Sequence, residues 1–186
     1  AIMYGAIMQR DSYLVHREEV GTMQAADGLF QFLRTQPRGT VHASSHLLRS
    51  IIPLYTPHDV YYAVNANLCV CSNKEMAERF FFDAWMRGLP AEESDTFLAG
   101  YASNVYGLYW QEVTGPHQYL PNNLIPQAIA DYAEYLRLPD TEKLALHSLR
   151  YVVTTANEQP LVAVQQQSTK IYQDGAYAVW AVKKPL

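Results

Sequence analysis

Val60-Tyr61-Tyr62-Ala63-Val64-Asn65-Ala66-Asn67-Leu68-Cys69-Val70-Cys71 runs directly into Ser72-Asn73-Lys74-Glu75, and this junction decides the fold class. Val60, Tyr62, Val64, Ala66, Leu68 and Val70 take alternate positions, with Tyr61, Asn65, Asn67, Cys69 and Cys71 on the opposite face. That is the period-two pattern of a half-buried strand. Ser72 and Glu75 form a capping box: the Ser72 hydroxyl accepts from the Glu75 amide, and the Glu75 carboxylate returns to the Ser72 amide. The spacing then predicts an amphipathic helix over 73–87. Met76, Phe80 and Ala84, beside Ala77, Phe81 and Trp85, make its core stripe, and Gly88 stops it. A strand leading into a capped helix places the chain in the α+β class.

Working outward, 2–8 and 13–20 favour strands around a polar turn at 9–12, an amino-terminal hairpin. Residues 25–33 suit a short helix or a strand, ended by Pro37-Arg38-Gly39. Beyond the central helix, a strand is expected over 105–113 and a helix over 125–136, up to Pro139. Strands are expected over 149–155 and 161–167. The chain closes with a hairpin joining 170–173 to 176–182 through a type I′ turn at Asp174-Gly175. Neither a repeat nor a low-complexity tract divides the sequence, so 1–186 is expected to be one domain.

The 186 residues are 49% hydrophobic and 17% charged, the composition of a globular chain. A net charge of −4 and a pI near 5.8 argue against tight nucleic-acid binding, which needs clustered Lys and Arg. No stretch approaches the roughly 18 to 20 apolar residues of a membrane span, and the amino-terminal residues lack the pattern of a signal peptide. Cys69 and Cys71 lie on one face of an extended segment, too close for easy pairing, so no disulfide framework is expected. A reducing compartment, such as the cytoplasm, is expected.

Thiolates are soft ligands and nucleophiles, so Cys69 and Cys71 are the first candidates for chemistry. With His42 and His46, or His58, they could complete a metal site if the fold brings them near, and with His117 or His147 as base either could be a nucleophile. Structural thiols remain the simpler reading. The chain has no nucleophile elbow, phosphate-binding loop, H-E-x-x-H or dinucleotide fingerprint, and no cofactor is expected. Glu92, Glu93 and Asp95 read as surface. The 14 tyrosines, including Tyr61 and Tyr62, suit sheet surfaces or subunit interfaces, which makes self-association the expected partnership.

The run from Ser50 to Val60, the strand to Cys71 and the helix ending Phe82-Asp83-Ala84-Trp85 together resemble the tail-tube family of contractile-tailed bacteriophages. There, too, a strand leads through a polar cap into a helix with an aromatic F-x-x-W element. Residues 142–155, after Pro139-Asp140-Thr141-Glu142, resemble that family's late strand. The likeness implies a small, mainly antiparallel β-barrel or sandwich flanked by the 73–87 helix. It also implies a virion-associated protein whose copies close into rings and stack as a conduit for DNA, contacts with other tail or baseplate proteins, and no catalysis. Ser72, Glu75, Phe80, Phe81, Trp85, Tyr61, Tyr62, Asp174 and Gly175 would then be structural or interface residues. A small enzyme using a cysteine and a histidine, or a binding or adaptor module, are the alternative readings.

Overall fold

The computed structural model describes residues 17–62, 72–94, 97 and 124–183. Helices α1 (Arg17–Ala25) and α2 (Asp27–Thr35) precede β1 (Thr40–Ala43), α3 (His46–Tyr55) and β2 (Asp59–Val60). The central helix α4 (Asn73–Met86) is followed by α5 (Leu124–Leu136), α6 (Asp140–Ala145) and β3 (Leu149–Thr155). The short helix α7 (Val162–Gln166) then leads into the hairpin of β4 (Ser168–Gln173) and β5 (Tyr177–Val182).

The strands form one open sheet in the order β2-β1-β3-β5-β4. β1 runs parallel to β2 and β3, while β5 is antiparallel to β3 and β4. Parallel neighbours need crossover connections, and helices therefore cover both faces. On one face Val41, Ala43, Tyr151, Val153, Tyr177 and Val179 meet the apolar stripes of α2 and α3. On the other, Val152 and Trp180 meet Phe80, Phe81, Phe82 and Trp85 of α4, together with Tyr132 and Tyr135 of α5.

Several elements lie where the sequence places them. Ser72 caps α4, its hydroxyl accepting from Glu75 N at 3.1 Å, and Gly88 ends the helix region at φ +71°. The strand over 149–155, the helix near 125–136 and the terminal hairpin also form. For 25–33 the helical alternative holds, because Ala26, Leu29, Phe30 and Leu33 share one buried stripe.

Other expectations are corrected. Arg17 onward is helical, since Arg-Glu-Glu is a helix-forming start that the β reading of 13–20 passed over. Residues 162–166 form α7 instead of a strand: Val164 is buried while Val162 is exposed, which breaks the alternation a strand would need. The Asp174-Gly175 turn is not type I′, because neither residue has positive φ. The Asp174 carboxylate instead accepts from the amides of Ala176 and Tyr177, both at 2.7 Å. The described strands close no barrel, because the parallel pairs put helices on both faces and leave β2 and β4 as edges. The strand expected from Val60 is described only as Asp59–Val60. Residues 2–8, 63–71 and 105–113 lie outside the described residues.

Two register shifts interrupt the sheet, one between β1 and β3 and one between β4 and β5. Thr40 pairs with Leu149 but Val41 with Tyr151, so Arg150 is an extra residue in β3. Likewise Lys170 pairs with Trp180 but Tyr172 with Val179, which makes Ile171 the extra residue in β4. Gly39 gives the Arg150 stem its room: a Cβ there would lie 2.4 Å from Arg150 Cδ and 2.7 Å from its Cβ. Gly39→Ala is therefore expected to cost about 1–3 kcal/mol in urea unfolding, as overpacking does. A loss within measurement error would mean that the Arg150 stem is free to swing aside.

Candidate functional site

Asp83 sits in the most apolar part of α4, between Phe82 and Ala84, and is buried. A carboxylate there requires charged partners. His42, which projects from β1 on the face opposite Val41 and Ala43, brings Nε2 to 3.0 Å from Asp83 Oδ1. Arg49 reaches from α3, on the opposite face of the sheet, around the carboxyl end of β1. Its Nη2 lies 2.6 Å from the same oxygen, and its Nε donates to Ala43 O at 2.6 Å. Arg87, one turn beyond Asp83, donates through Nε to Oδ2 at 3.1 Å. One carboxylate thus ties β1, α3 and α4 together.

The electrostatics favour the ionised carboxylate. Burial alone would raise the Asp83 pKa, but the hydrogen bond from His42 and the charges of Arg49 and Arg87 outweigh it and hold the carboxyl well below its usual range. Burial pushes the His42 pKa down, against the pull of Asp83. A neutral imidazole with Nε2–H held by Asp83 leaves Nδ1 as a base, and that atom has no hydrogen-bond partner among the described residues. Burial keeps it from solvent. In open α/β sheets ligands commonly sit outside the carboxyl ends of the strands; here Arg49 and Asp83 fill that place at β1.

The open concavity is at the opposite end. Gln36 to Thr40, the start of β3, the α6 region and the hairpin strands surround a cleft of about 1390 Å³. Among the described residues that line it, Arg38, Arg150 and Lys183 are charged and none is acidic. Each cation is positioned. Arg38 pairs with Asp59 at 3.2 Å, Arg150 donates to Arg38 O at 3.2 Å, and Lys183 Nζ donates to Gln166 O at 3.3 Å. The 36–39 wall is pinned from behind. His58 Nε2 lies 2.7 Å from Leu33 O, which leaves Nδ1 to accept the Gly39 amide at 3.2 Å, and Tyr151 OH donates to Pro37 O at 2.9 Å. Ser148, on the rim, is held at φ 55°, a left-handed conformation that costs a residue with a Cβ on the order of 1 kcal/mol.

The residues singled out in the sequence fall elsewhere. His42 is committed to Asp83, and His46 is exposed on the first turn of α3. Among the described residues no group of three His, Cys, Asp or Glu side chains is placed to hold a metal ion. Cys69, Cys71 and His117 lie outside the described residues, and His147 is described only as part of the 3₁₀ turn Leu146–Ser148. Tyr61, Tyr62, Phe80, Phe81 and Trp85 are core residues, and Asp174 and Gly175 make the hairpin turn. Among the described residues no helix is long and apolar enough to cross a membrane.

Asp83, Arg49, Arg87, Arg150 and Lys183 were not anticipated. A signal existed for the first two, since each interrupts an apolar run, Phe80-Phe81-Phe82-Asp83-Ala84-Trp85 and Leu47-Leu48-Arg49-Ser50-Ile51-Ile52, with a charge of opposite sign. No protein-family model matches the chain, and no curated protein or solved structure matches it either.

Asp83→Asn leaves Arg49 buried without its counter-charge and is expected to cost about 3–5 kcal/mol. The pH dependence has a definite sign. His42 is depressed in the folded state, so stability is complete above an unfolded histidine pKa of about 6.5 and declines as the pH falls below it. Asp83, also depressed, adds a second loss below an unfolded carboxylate pKa of about 3.9. Thermal midpoints between pH 8 and 3 should show both phases, with the upper one flattened in His42→Gln. A midpoint unchanged from pH 7 to 5 would refute the role given to His42.

Proposed function

We propose that this domain is a binding module whose cleft takes a small anionic ligand. The observation that carries the reading is electrostatic: in a chain of net charge −4, the charged residues lining the cleft are Arg38, Arg150 and Lys183, all cations. Low-dielectric walls concentrate that field on whatever enters. Two local irregularities support it. The extra residues of both bulges, Arg150 and Ile171, line this one cleft, and bulges commonly re-aim side chains beside functional sites. The strained Ser148 lies on the same rim.

The alternative, a ring-forming or tube-forming subunit, would draw on the open sheet edges for pairing between copies. Against it, β4 carries the exposed Lys170 and the Ile171 bulge on its edge, both of which discourage strand addition. Light scattering over a concentration series is expected to give a mass near 21.1 kDa throughout, whereas rings or stacks would restore the assembly reading.

For the cleft itself, calorimetric titration with phenyl phosphate and benzoate, against benzyl alcohol and benzamide as neutral counterparts, should give binding by the anions alone. Lys183→Glu should weaken them about tenfold or more, the scale of one charge-assisted hydrogen bond. Equal binding of the neutral compounds would overturn the proposal.

A further inference from the structure

The cleft is not lined by polar groups alone. Leu144, Leu149, Ile171, Ala181 and Val182 contribute apolar surface, while the cations stand at the 36–40 wall, at the start of β3 and just past β5. Ile171 is the telling residue. Among the described residues it is one of the few large apolar side chains left exposed, at 37%, and it is the bulge residue that β4 inserts out of register. A bulge that served only to blunt an edge would suit a polar residue at that position, and β4 has Lys170 and Thr169 beside it. An exposed isoleucine delivered to a basic cleft points instead to contact with an apolar part of the ligand. The cleft, of about 1390 Å³, also has room for far more than a lone inorganic anion.

We infer that the ligand is amphiphilic: an anionic head group held by Arg150 and Lys183, on an apolar tail that lies over Ile171, Leu144 and Val182. This inference rests on the anion-binding reading of the same cleft and adds the second half of the ligand's chemistry. Free acids and membrane lipids share that chemistry. The observations favour a free, monomeric amphiphile, because the apolar lining shares one concave cleft with the cations.

The test is a calorimetric or NMR titration of the intact protein with acetate, butyrate, hexanoate and octanoate below their micellar concentrations, with 1-octanol as the neutral chain. Affinity is expected to rise about fourfold per added methylene while the tail remains in the cleft. Ile171→Ser should remove much of that rise without changing acetate binding or the thermal midpoint, and Lys183→Glu should weaken every acid alike. Acids that bind equally whatever their chain length would overturn the tail and leave the anion reading standing. Octanol binding as tightly as octanoate would overturn the anion reading, and with it the amphiphilic ligand. Octanoate affinity unmoved by Ile171→Ser, at an unchanged midpoint, would overturn the placement of the tail. Anionic vesicles pelleting the protein while monomeric octanoate leaves it unaffected would replace the free amphiphile with a lipid surface.

Discussion

A carboxylate buried in an apolar helix is unstable unless cations reach it, and in this fold Asp83 is such a carboxylate. The chain meets the requirement from two directions. Arg87 comes from the same helix, and Arg49 comes from a helix packed on the far side of the sheet. Because Arg49 must pass the end of β1 to arrive, it also satisfies the carbonyls of Ala43 and Ser44, which the strand leaves open. The two helical layers are thereby fixed to one another through the sheet end, not merely laid against its faces. The same contact fills the position where open α/β sheets usually receive a ligand. The opening of this domain is accordingly at the amino ends of β1 and β3.

At that end, local deviations from regular structure act together. Removing a Cβ at Gly39 admits the stem of Arg150, and an extra residue in β3 brings its guanidinium to the rim. A second extra residue, in β4, brings Ile171. His58, buried beneath, hydrogen-bonds the segment that carries Gly39 to the end of α2. Rigid support behind an irregular rim is the arrangement that holds binding groups in place without ordering them at the moment of binding.

How much of this could be read from the sequence depended on element length and on locality. α4 was legible because its cap, stripe and stop all lie within seventeen consecutive residues, Ser72 to Gly88. β3 and the hairpin were legible from their β-branched and aromatic runs. β1 and β2, with four residues and two, are too short to display a period. α3 was hidden by Pro53, which sits inside it, and by the neighbouring Pro57. The cleft was illegible for a different reason. A bulge is a relation between two strands, and neither Arg150 nor Ile171 is unusual until its partner strand is known. Only the Asp83 cluster left a local trace, as unexplained charges within apolar runs.

The pairing of Thr40 with Leu149 has a consequence in time. β1 acquires its second neighbour only after more than a hundred further residues have been made, and the hairpin that completes the sheet comes later still. Contacts so distant in sequence make for slow folding. During synthesis β1 therefore waits with one edge unpaired, shielded on one face by α2 and α3. The cleft, which needs residues from both 36–40 and 181–183, is among the last features to exist. Any ligand it takes would be recognised by finished molecules alone, and would hold the late-docking hairpin against the early half of the chain.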